Sequence, residues 1–198
     1  MNCKILSIIS ASFLVWPFPA FAAQGVAVIK GTAQGSPISG TVSFIDSKDG
    51  LKIEAKLANV PNAGKHGFHI HENGSCADDG KAAGGHYNPM TVDHGFLPKD
   101  GEAHAHMGDM GNIEITADGT GTLSITLPGV SLKGGDHNVD GRAVILHEKA
   151  DDFGQPTGNA GGRIGCGIIT VAEQIAQPND QPKPAAAESG AKTSAQTK

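Results

Sequence analysis

Aromatic and charged residues are both scarce in this chain. Of its 198 residues, 5% are aromatic and 18% are charged, and the usual charged share is about a quarter. Glycine, in contrast, occurs 28 times. This composition favours a turn-rich β domain over a helical one. The net charge of −5 argues against nucleic acid or an anionic membrane surface as a partner.

A long hydrophobic run is also missing. The apolar stretch at residues 5–18 is shorter than the about 20 residues that a membrane-spanning helix needs. It follows a single charged residue, Lys4, and precedes Ala20-Phe21-Ala22, the small-x-small pattern of a signal-peptidase site. We therefore expect residues 1–22 to be a signal peptide that is cleaved on export, leaving a mature protein without a membrane anchor.

Cysteine is scarce as well, with three residues in the chain. Cys3 would leave with the signal peptide, so the mature protein would keep Cys76 and Cys166. An even pair in an oxidising compartment favours a disulfide, and two free buried thiols are the alternative. Such a bond would close a long loop and stabilise the fold by roughly 4–5 kcal/mol.

Patterns typical of β-strands cover most of the chain after the signal peptide. Turn signals such as Asp49-Gly50 separate about eight short strands, and no segment predicts a helix. Apolar and polar residues alternate most clearly in one half-buried strand, where the apolar positions are Leu51, Ile53, Ala55 and Leu57. We predict an all-β fold, an eight-stranded antiparallel sandwich or barrel.

The composition changes again near the end of the chain. From residue 172 to 198 it shifts to Ala, Gln, Pro, Lys and Ser, which predicts a disordered tail. The sequence therefore predicts one β domain over residues 23–171, between a cleaved signal peptide and this tail.

Two histidines occupy alternate positions of one predicted strand. Residues two apart on a strand share a face, so His69 and His71 would lie together while Phe68 and Ile70 face a core. Two neighbouring imidazoles can supply half of a transition-metal site, although a pair of surface histidines is the alternative. Further histidines follow in a long stretch without periodicity at residues 72–111, where a bound metal could supply the order.

Six motifs follow one another between about Val26 and Val171. They are Gly67-Phe68-His69-Ile70-His71, Gly84-Gly85-His86-Tyr87-Asn88-Pro89, His94-Gly95, His106-Met107-Gly108-Asp109, His147-Glu148-Lys149-Ala150-Asp151-Asp152 and Gly158-Asn159-Ala160-Gly161-Gly162-Arg163-Ile164-Gly165-Cys166-Gly167. Together they resemble copper/zinc superoxide dismutase, most closely its exported bacterial branch. The resemblance implies a Greek-key β-barrel with two long functional loops.

The resemblance also implies two metal sites that share a ligand. Copper would be held by His69, His71, His86 and His147, and zinc by His86, His94, His106 and Asp109. Imidazole suits both oxidation states of copper, and zinc favours a tetrahedral set of nitrogen and oxygen donors. A deprotonated imidazole has two lone pairs, so His86 can bridge. His104 could compete for zinc, but the family spacing to Asp109 favours His106.

Three further residues have roles by resemblance. Arg163 would dock the superoxide anion through charge-assisted hydrogen bonds, with an ordinary surface ion pair as the alternative. Asp151 would accept hydrogen bonds from one copper ligand and one zinc ligand, His69 and His94, and so orient them. His66 is expected to be a structural histidine beside the site rather than a ligand.

The implied activity is dismutation of superoxide to dioxygen and hydrogen peroxide. Copper would cycle between Cu(II) and Cu(I), and His86 would take up and return a proton. The alternative is a non-catalytic periplasmic protein that binds or buffers copper and zinc. A buffering protein would not need Arg163, Asp151 or the bridging His86, so we favour a periplasmic enzyme acting as a monomer or homodimer.

Overall fold

The computed structural model describes residues 23–172, which form an almost entirely β-structure. The strands are β1 Gln24–Gly31, β2 Ser39–Ser47, β3 Gly50–Ala58, β4 Gly64–His71, β5 Asp109–Ile115, β6 Gly121–Leu127, β7 Ala143–His147, β8 Arg163–Ile168 and β9 Thr170–Val171. The predicted signal peptide and all of the predicted tail except Ala172 lie outside the described residues.

Helical structure in the described part of the chain is limited to two short pieces. One is a 3-10 turn at Lys81–Ala83 and the other is a single turn of α-helix, α1, at Leu97–Asp100. Neither is long or apolar enough to cross a membrane. The sequence predicted no helix, because pieces this short are set by local turn geometry and leave no periodic pattern.

The strands close into an antiparallel barrel. Their order is β2-β3-β6-β5-β4-β7-β8-β1, and β1 pairs back with β2. The chain passes from β3 to β4 without pairing them, and β5 and β6 later fill the gap in a Greek-key arrangement. The predicted eight-stranded barrel is confirmed, and the structure adds a ninth strand of two residues, β9, which lies beside β1.

The barrel interior is filled by apolar side chains from alternate strand positions. In β3 the predicted alternation is present, with buried residues facing in and charged ones facing out. Phe44 and Phe68 are among the largest fully buried side chains. Burying a side chain of this size contributes about 1.5–3 kcal/mol, so the packed interior stabilises the barrel that carries the connections outside it.

Two long connections cover one outer face of the barrel, and they frame the functional site. The first runs from β4 to β5 and the second from β7 to β8. A disulfide joins Cys76 in the first connection to Cys166 on β8, which confirms the expected pair. Beneath it, Ala83, Ala143 and Ile145 form a small apolar cluster of their own outside the main core.

Candidate metal centre

Strand β4 places two histidines under the long connections. Phe68 and Ile70 belong to the main core, so the alternate residues His69 and His71 face outward from the barrel. Both histidines are nevertheless fully buried, because the connections lie over them. The outer face of β4 is therefore a buried polar surface whose imidazoles need partners.

Other elements bring further donors to this surface. The first connection contributes His86, His94 and His106, the start of β5 contributes Asp109, and the end of β7 contributes His147. All of these side chains are buried. His104 is exposed, so the neighbouring histidine that reaches the buried centre is His106.

The donors form two groups of four that share His86. In each group, one donor atom per residue lies within 4.8 Å of the others. The first group is His69, His71, His86 and His147, and the second is His86, His94, His106 and Asp109. The structure thus brings together both predicted ligand sets.

Hydrogen bonds determine which ring nitrogens face the centre of the first group. His71 Nδ1–H donates to the Gly84 carbonyl at 3.0 Å, and His147 Nδ1–H donates to the Gly161 carbonyl at 3.4 Å. The lone pair of each ring is then on Nε2, and these two Nε2 atoms lie 3.3 Å apart. Two facing lone pairs repel each other, and a cation between them would turn this contact into coordination. The first group therefore fits a copper ion.

Buried ring nitrogens without a well-aligned hydrogen bond occur in both groups. The Nδ1 atoms of His69, in the first group, and of His94 and His106, in the second, are buried and make no well-aligned hydrogen bond within residues 23–172. An unsatisfied buried polar atom costs about 1–3 kcal/mol, which metal coordination would remove. His94 Nδ1 and His106 Nδ1 lie 2.8 and 3.2 Å from the Asp109 carboxylate. This mixed nitrogen and oxygen set fits zinc.

His86 lies between the two groups. Its Nδ1 is 2.9 Å from Asp109 Oδ1, so this nitrogen faces the second group. The ring is 4.1 Å from that of His69 and 5.0 Å from that of His71, measured between centroids. The two nitrogens of one imidazole point in different directions, so His86 can serve both groups at once.

Asp151 orients one histidine of each group. His69 Nε2–H donates to Asp151 Oδ2 at 2.8 Å, and His94 Nε2–H donates to Oδ1 at 3.0 Å. Because each Nε2 donates to Asp151, Nδ1 is the nitrogen left to bind a metal. One buried carboxylate in the second connection thus determines which ring nitrogen of His69 and of His94 faces the metal groups.

Sequence reasoning missed Asn112, whose side chain holds Asp151 in place. Asn112 Nδ2 donates to the Asp151 carbonyl at 2.9 Å, and Asp151 N–H donates to Asn112 Oδ1 at 2.7 Å. In the sequence Asn112 is a single polar residue outside all six motifs. The partner is 39 positions away, so no local pattern could have identified it.

Arg163 lies beside the first group. Its guanidinium donates to the Gly80 carbonyl at 2.6 Å and to the Gly84 carbonyl at 2.5 Å. Gly84 is the residue whose carbonyl also accepts from His71. The Gly80 and Gly84 carbonyls belong to the first connection, and the disulfide ties this connection to Cys166 on β8. Arg163 is the first residue of the same strand.

His66 contacts the site only through backbone. Its Nδ1 lies 2.9 Å from the His147 carbonyl oxygen and its Nε2 lies 2.8 Å from the Asn62 carbonyl oxygen. Both ring nitrogens are therefore engaged with the main chain. The ring links the turn before β4 to the end of β7.

The two groups differ in charge. Burial, reinforced by neighbouring imidazoles, lowers the pKa of His147 to about 3 and also lowers the pKa of His71. Burial also acts to lower the pKa of His94, but contacts of its ring N–H groups with the Asp109 and Asp151 carboxylates outweigh burial and raise the pKa to about 9. At neutral pH His71 and His147 are therefore neutral, whereas His94 is a cation between two carboxylates.

Comparison with known proteins identifies relatives of this chain. Residues 38–169 match the family described as "Copper/zinc superoxide dismutase (SODC)". The chain is 44% identical over 144 residues to "Extracellular superoxide dismutase [Cu-Zn]" of Caenorhabditis elegans, covering 69% of this chain and 63% of that protein. It is 39% identical over 155 residues to "Superoxide dismutase [Cu-Zn] A" of Xenopus laevis, covering 74% of this chain and 96% of that protein.

A solved structure is also similar to this fold. It is the crystal structure of the clock protein EA4, which is 33% identical and superimposes with a TM-score of 0.67. The similarity covers 80% of this chain and 100% of that one.

Proposed function

Because the chain belongs to the copper/zinc superoxide dismutase family, we propose that it dismutates superoxide to dioxygen and hydrogen peroxide. The observation that carries this proposal is the position of His86, one imidazole facing two buried four-residue groups. A centre of this kind can pair a redox-active ion with a second cation across one ring.

The donor sets assign each metal. His69 Nδ1 and the Nε2 atoms of His71, His86 and His147 would hold copper. The Nδ1 atoms of His86, His94 and His106 would hold zinc together with Asp109. Bound copper supplies the one-electron chemistry of the reaction by alternating between Cu(II) and Cu(I).

His86 is suited to move a proton during turnover. It would hold a proton at Nε2 in one half of the reaction and give it to the peroxide product in the other. Burial keeps the pKa of His86 low, at about 4, despite the opposing hydrogen bond to Asp109. In the metal-free centre the ring is therefore neutral at neutral pH and has a lone pair available to a metal.

Arg163 would bind and orient the anionic substrate. Its guanidinium is half-buried and is held by backbone carbonyls next to His71. These carbonyls fix its direction without neutralising its charge, so the cation remains available to superoxide. Because the chain is acidic overall, with a net charge of −5, attraction must come from Arg163, the metals and nearby lysines such as Lys81.

A protein that only buffers copper and zinc would need the ligands alone. The placement of Arg163 beside the copper group and of Asp151 between the two groups supports an enzyme instead. Neither residue is required for simple metal storage.

We also propose that the protein acts outside the cytoplasm, in the periplasm, after loss of residues 1–22. The disulfide and the similarity to a protein named as extracellular support export. In this proposal residues 23–171 are the catalytic domain, residues 172–198 are an appended tail, and the active species is a monomer or homodimer.

The proposed activity can be tested on the purified mature protein by metal analysis and a superoxide-decay assay. We expect one copper and one zinc per chain, with activity that disappears when copper is withdrawn and returns when it is added back. Superoxide decay that is unchanged after copper removal would overturn the proposal.

A further inference from the structure

The side-chain amide of Gln155, in the second long connection, forms two hydrogen bonds with the backbone of His94. His94 N–H donates to Gln155 Oε1 at 3.0 Å, and Gln155 Nε2 donates to the His94 carbonyl at 2.9 Å. The two residues are 61 positions apart. Two reciprocal hydrogen bonds leave the His94 backbone little freedom to rotate relative to the connection.

The segment that carries Gln155 is itself tightly folded. Asp152 Oδ1 accepts from Gly154 N–H at 2.8 Å, and the Asp152 carboxylate also accepts from Asn159 Nδ2 at 3.1 Å. Residue 158 must be glycine, since a Cβ there would collide with the Asp151 carboxylate and lie 2.8 Å from His94 Nε2. This turn therefore sits directly on the hydrogen-bonded pair of Asp151 and His94.

An aromatic ring from the same turn lies nearly parallel to the His94 ring. The Phe153 ring stacks on the imidazole with an interplanar angle of 17° and a centroid distance of 6.3 Å. Phe153 also packs edge-on against Phe96 at 6.3 Å. Residues of this turn thus lie beside the His94 ring, bond its backbone and pack on Asp151, the partner of its Nε2. His94 Nδ1 remains directed at Asp109.

We propose that Gln155 is a positioning residue for the zinc half of the centre, which rests on the proposed function above. It acts through the His94 backbone and holds Nδ1 in line with Asp109. Asn112 plays a different part, because it holds Asp151, which bonds a histidine of each group. Loss of Gln155 should therefore affect zinc, and loss of Asn112 should affect both metals.

The test compares Gln155→Met and Gln155→Ala with wild type in the full mature protein. Methionine keeps the length of the side chain but removes both hydrogen bonds. Zinc and copper release to a chelator are timed separately, and cobalt(II) loaded in place of zinc reports the ligand geometry by its visible spectrum. The matched control is Thr157→Ala, which removes a side chain exposed on the same turn.

We expect both Gln155 variants to release zinc about 10-fold faster, as for other residues that orient metal ligands. Their cobalt spectra should change, while copper release and the unfolding of the metal-free protein stay close to wild type, as in the control. Zinc release at the wild-type rate would overturn the inference, as would faster release in Gln155→Ala alone, or equal losses of both metals together with weaker folding. A wild-type protein that took up no zinc in this centre would instead refute the proposed function itself.

Discussion

Identical imidazoles acquire different properties in this centre because their surroundings differ. His71 and His147 donate to neutral carbonyls and are otherwise buried among other histidines, which keeps them neutral. His94 is equally buried but contacts two carboxylates, which favour its charged form. The charge of each ring follows from its partners and not from burial alone.

The raised pKa of His94 predicts proton release on zinc binding. Its pKa of about 9 means that both ring nitrogens carry a proton at about pH 7.5 in the metal-free protein. Nδ1 must lose its proton before it can coordinate zinc. Below its pKa the proton is bound, so release should be largest at neutral pH and fade above about pH 9.

Calorimetry of zinc binding in buffers with different ionisation enthalpies measures this release. We expect about one proton from the zinc site at neutral pH, and none from His71 or His147 when copper binds alone. A zinc-binding heat that did not depend on the buffer would contradict the assignment of His94.

Replacing the Asp151 carboxylate should weaken the binding of both metals. In Asp151→Asn, an amide nitrogen replaces one of the two carboxylate oxygens that accept hydrogen bonds from His69 and His94, and the negative charge is lost. Residues of this kind affect metal affinity by about 10- to 100-fold, which competition with a chelator can measure. Asp93→Asn is the matched control, because it removes one negative charge from an exposed position next to His94. Equal affinities in the two variants would argue against the role of Asp151.

The proposed anion-docking role of Arg163 predicts a graded loss of activity. Hydrogen bonds to a charged group contribute about 1.5–3 kcal/mol, so Arg163→Ala should lower kcat/KM by about 10- to 100-fold. Arg163→Lys keeps the charge but loses the forked geometry and should fall between Ala and wild type. The ionic-strength dependence of kcat/KM should weaken only in the alanine variant. Variants with wild-type kcat/KM would remove Arg163 from the mechanism.

At the scale of elements, strand β4 has two functions. The odd positions of β4 carry His69 and His71 outward, and the even positions anchor the strand in the core. The start of β5 lies opposite β4, where His69 pairs with Asp109. Antiparallel pairing therefore places a carboxylate beside a histidine that is far from it in sequence.

The disulfide is expected to stabilise the first connection and, through it, Arg163. Replacing Cys76 and Cys166 by alanine should lower the free energy of unfolding by about 2–5 kcal/mol. It should also lower kcat/KM, because the Gly80 and Gly84 carbonyls that hold Arg163 would become mobile. Urea unfolding and superoxide decay measure the two effects, and reduced wild type is the control. Oxidised wild type with the same stability and the same kcat/KM as the double variant would refute this coupling.

At the scale of the whole molecule, the metals and the barrel support each other. The barrel holds donors from β4, β5, β7 and the two connections at one place. Without a cation, the facing lone pairs of His71 and His147 repel each other, and buried ring nitrogens of other donors lack a well-aligned hydrogen bond. Folding therefore favours metal binding, and metal binding favours the folded state.

Removing the metals should lower stability without changing the fold. A ligand at 100 times its Kd stabilises the native state by about 2.7 kcal/mol, so chelation should lower the urea midpoint by a corresponding amount. Zinc alone should restore part of the loss, since its ligands come from the first connection and β5. Unfolding curves that coincide with and without chelator would contradict this coupling.

The sequence alone determined the fold class, the disulfide pair and most of the donors. Strand alternation is local, so the outward direction of His69 and His71 could be predicted from four neighbouring residues. Motif spacing favoured His106 over His104, and the structure also leaves His104 exposed. These features depend on short stretches of chain, where sequence carries the information.

Only the tertiary structure decided how the donors are held. Asn112 on Asp151 and Gln155 on His94 are side-chain to backbone hydrogen bonds across 39 and 61 positions. Neither residue type has a pattern that marks it, because any polar side chain at those places would look the same in the sequence. Their roles depend on the barrel closing so that β5 and the second connection meet beside β4, and that meeting is a property of the folded chain.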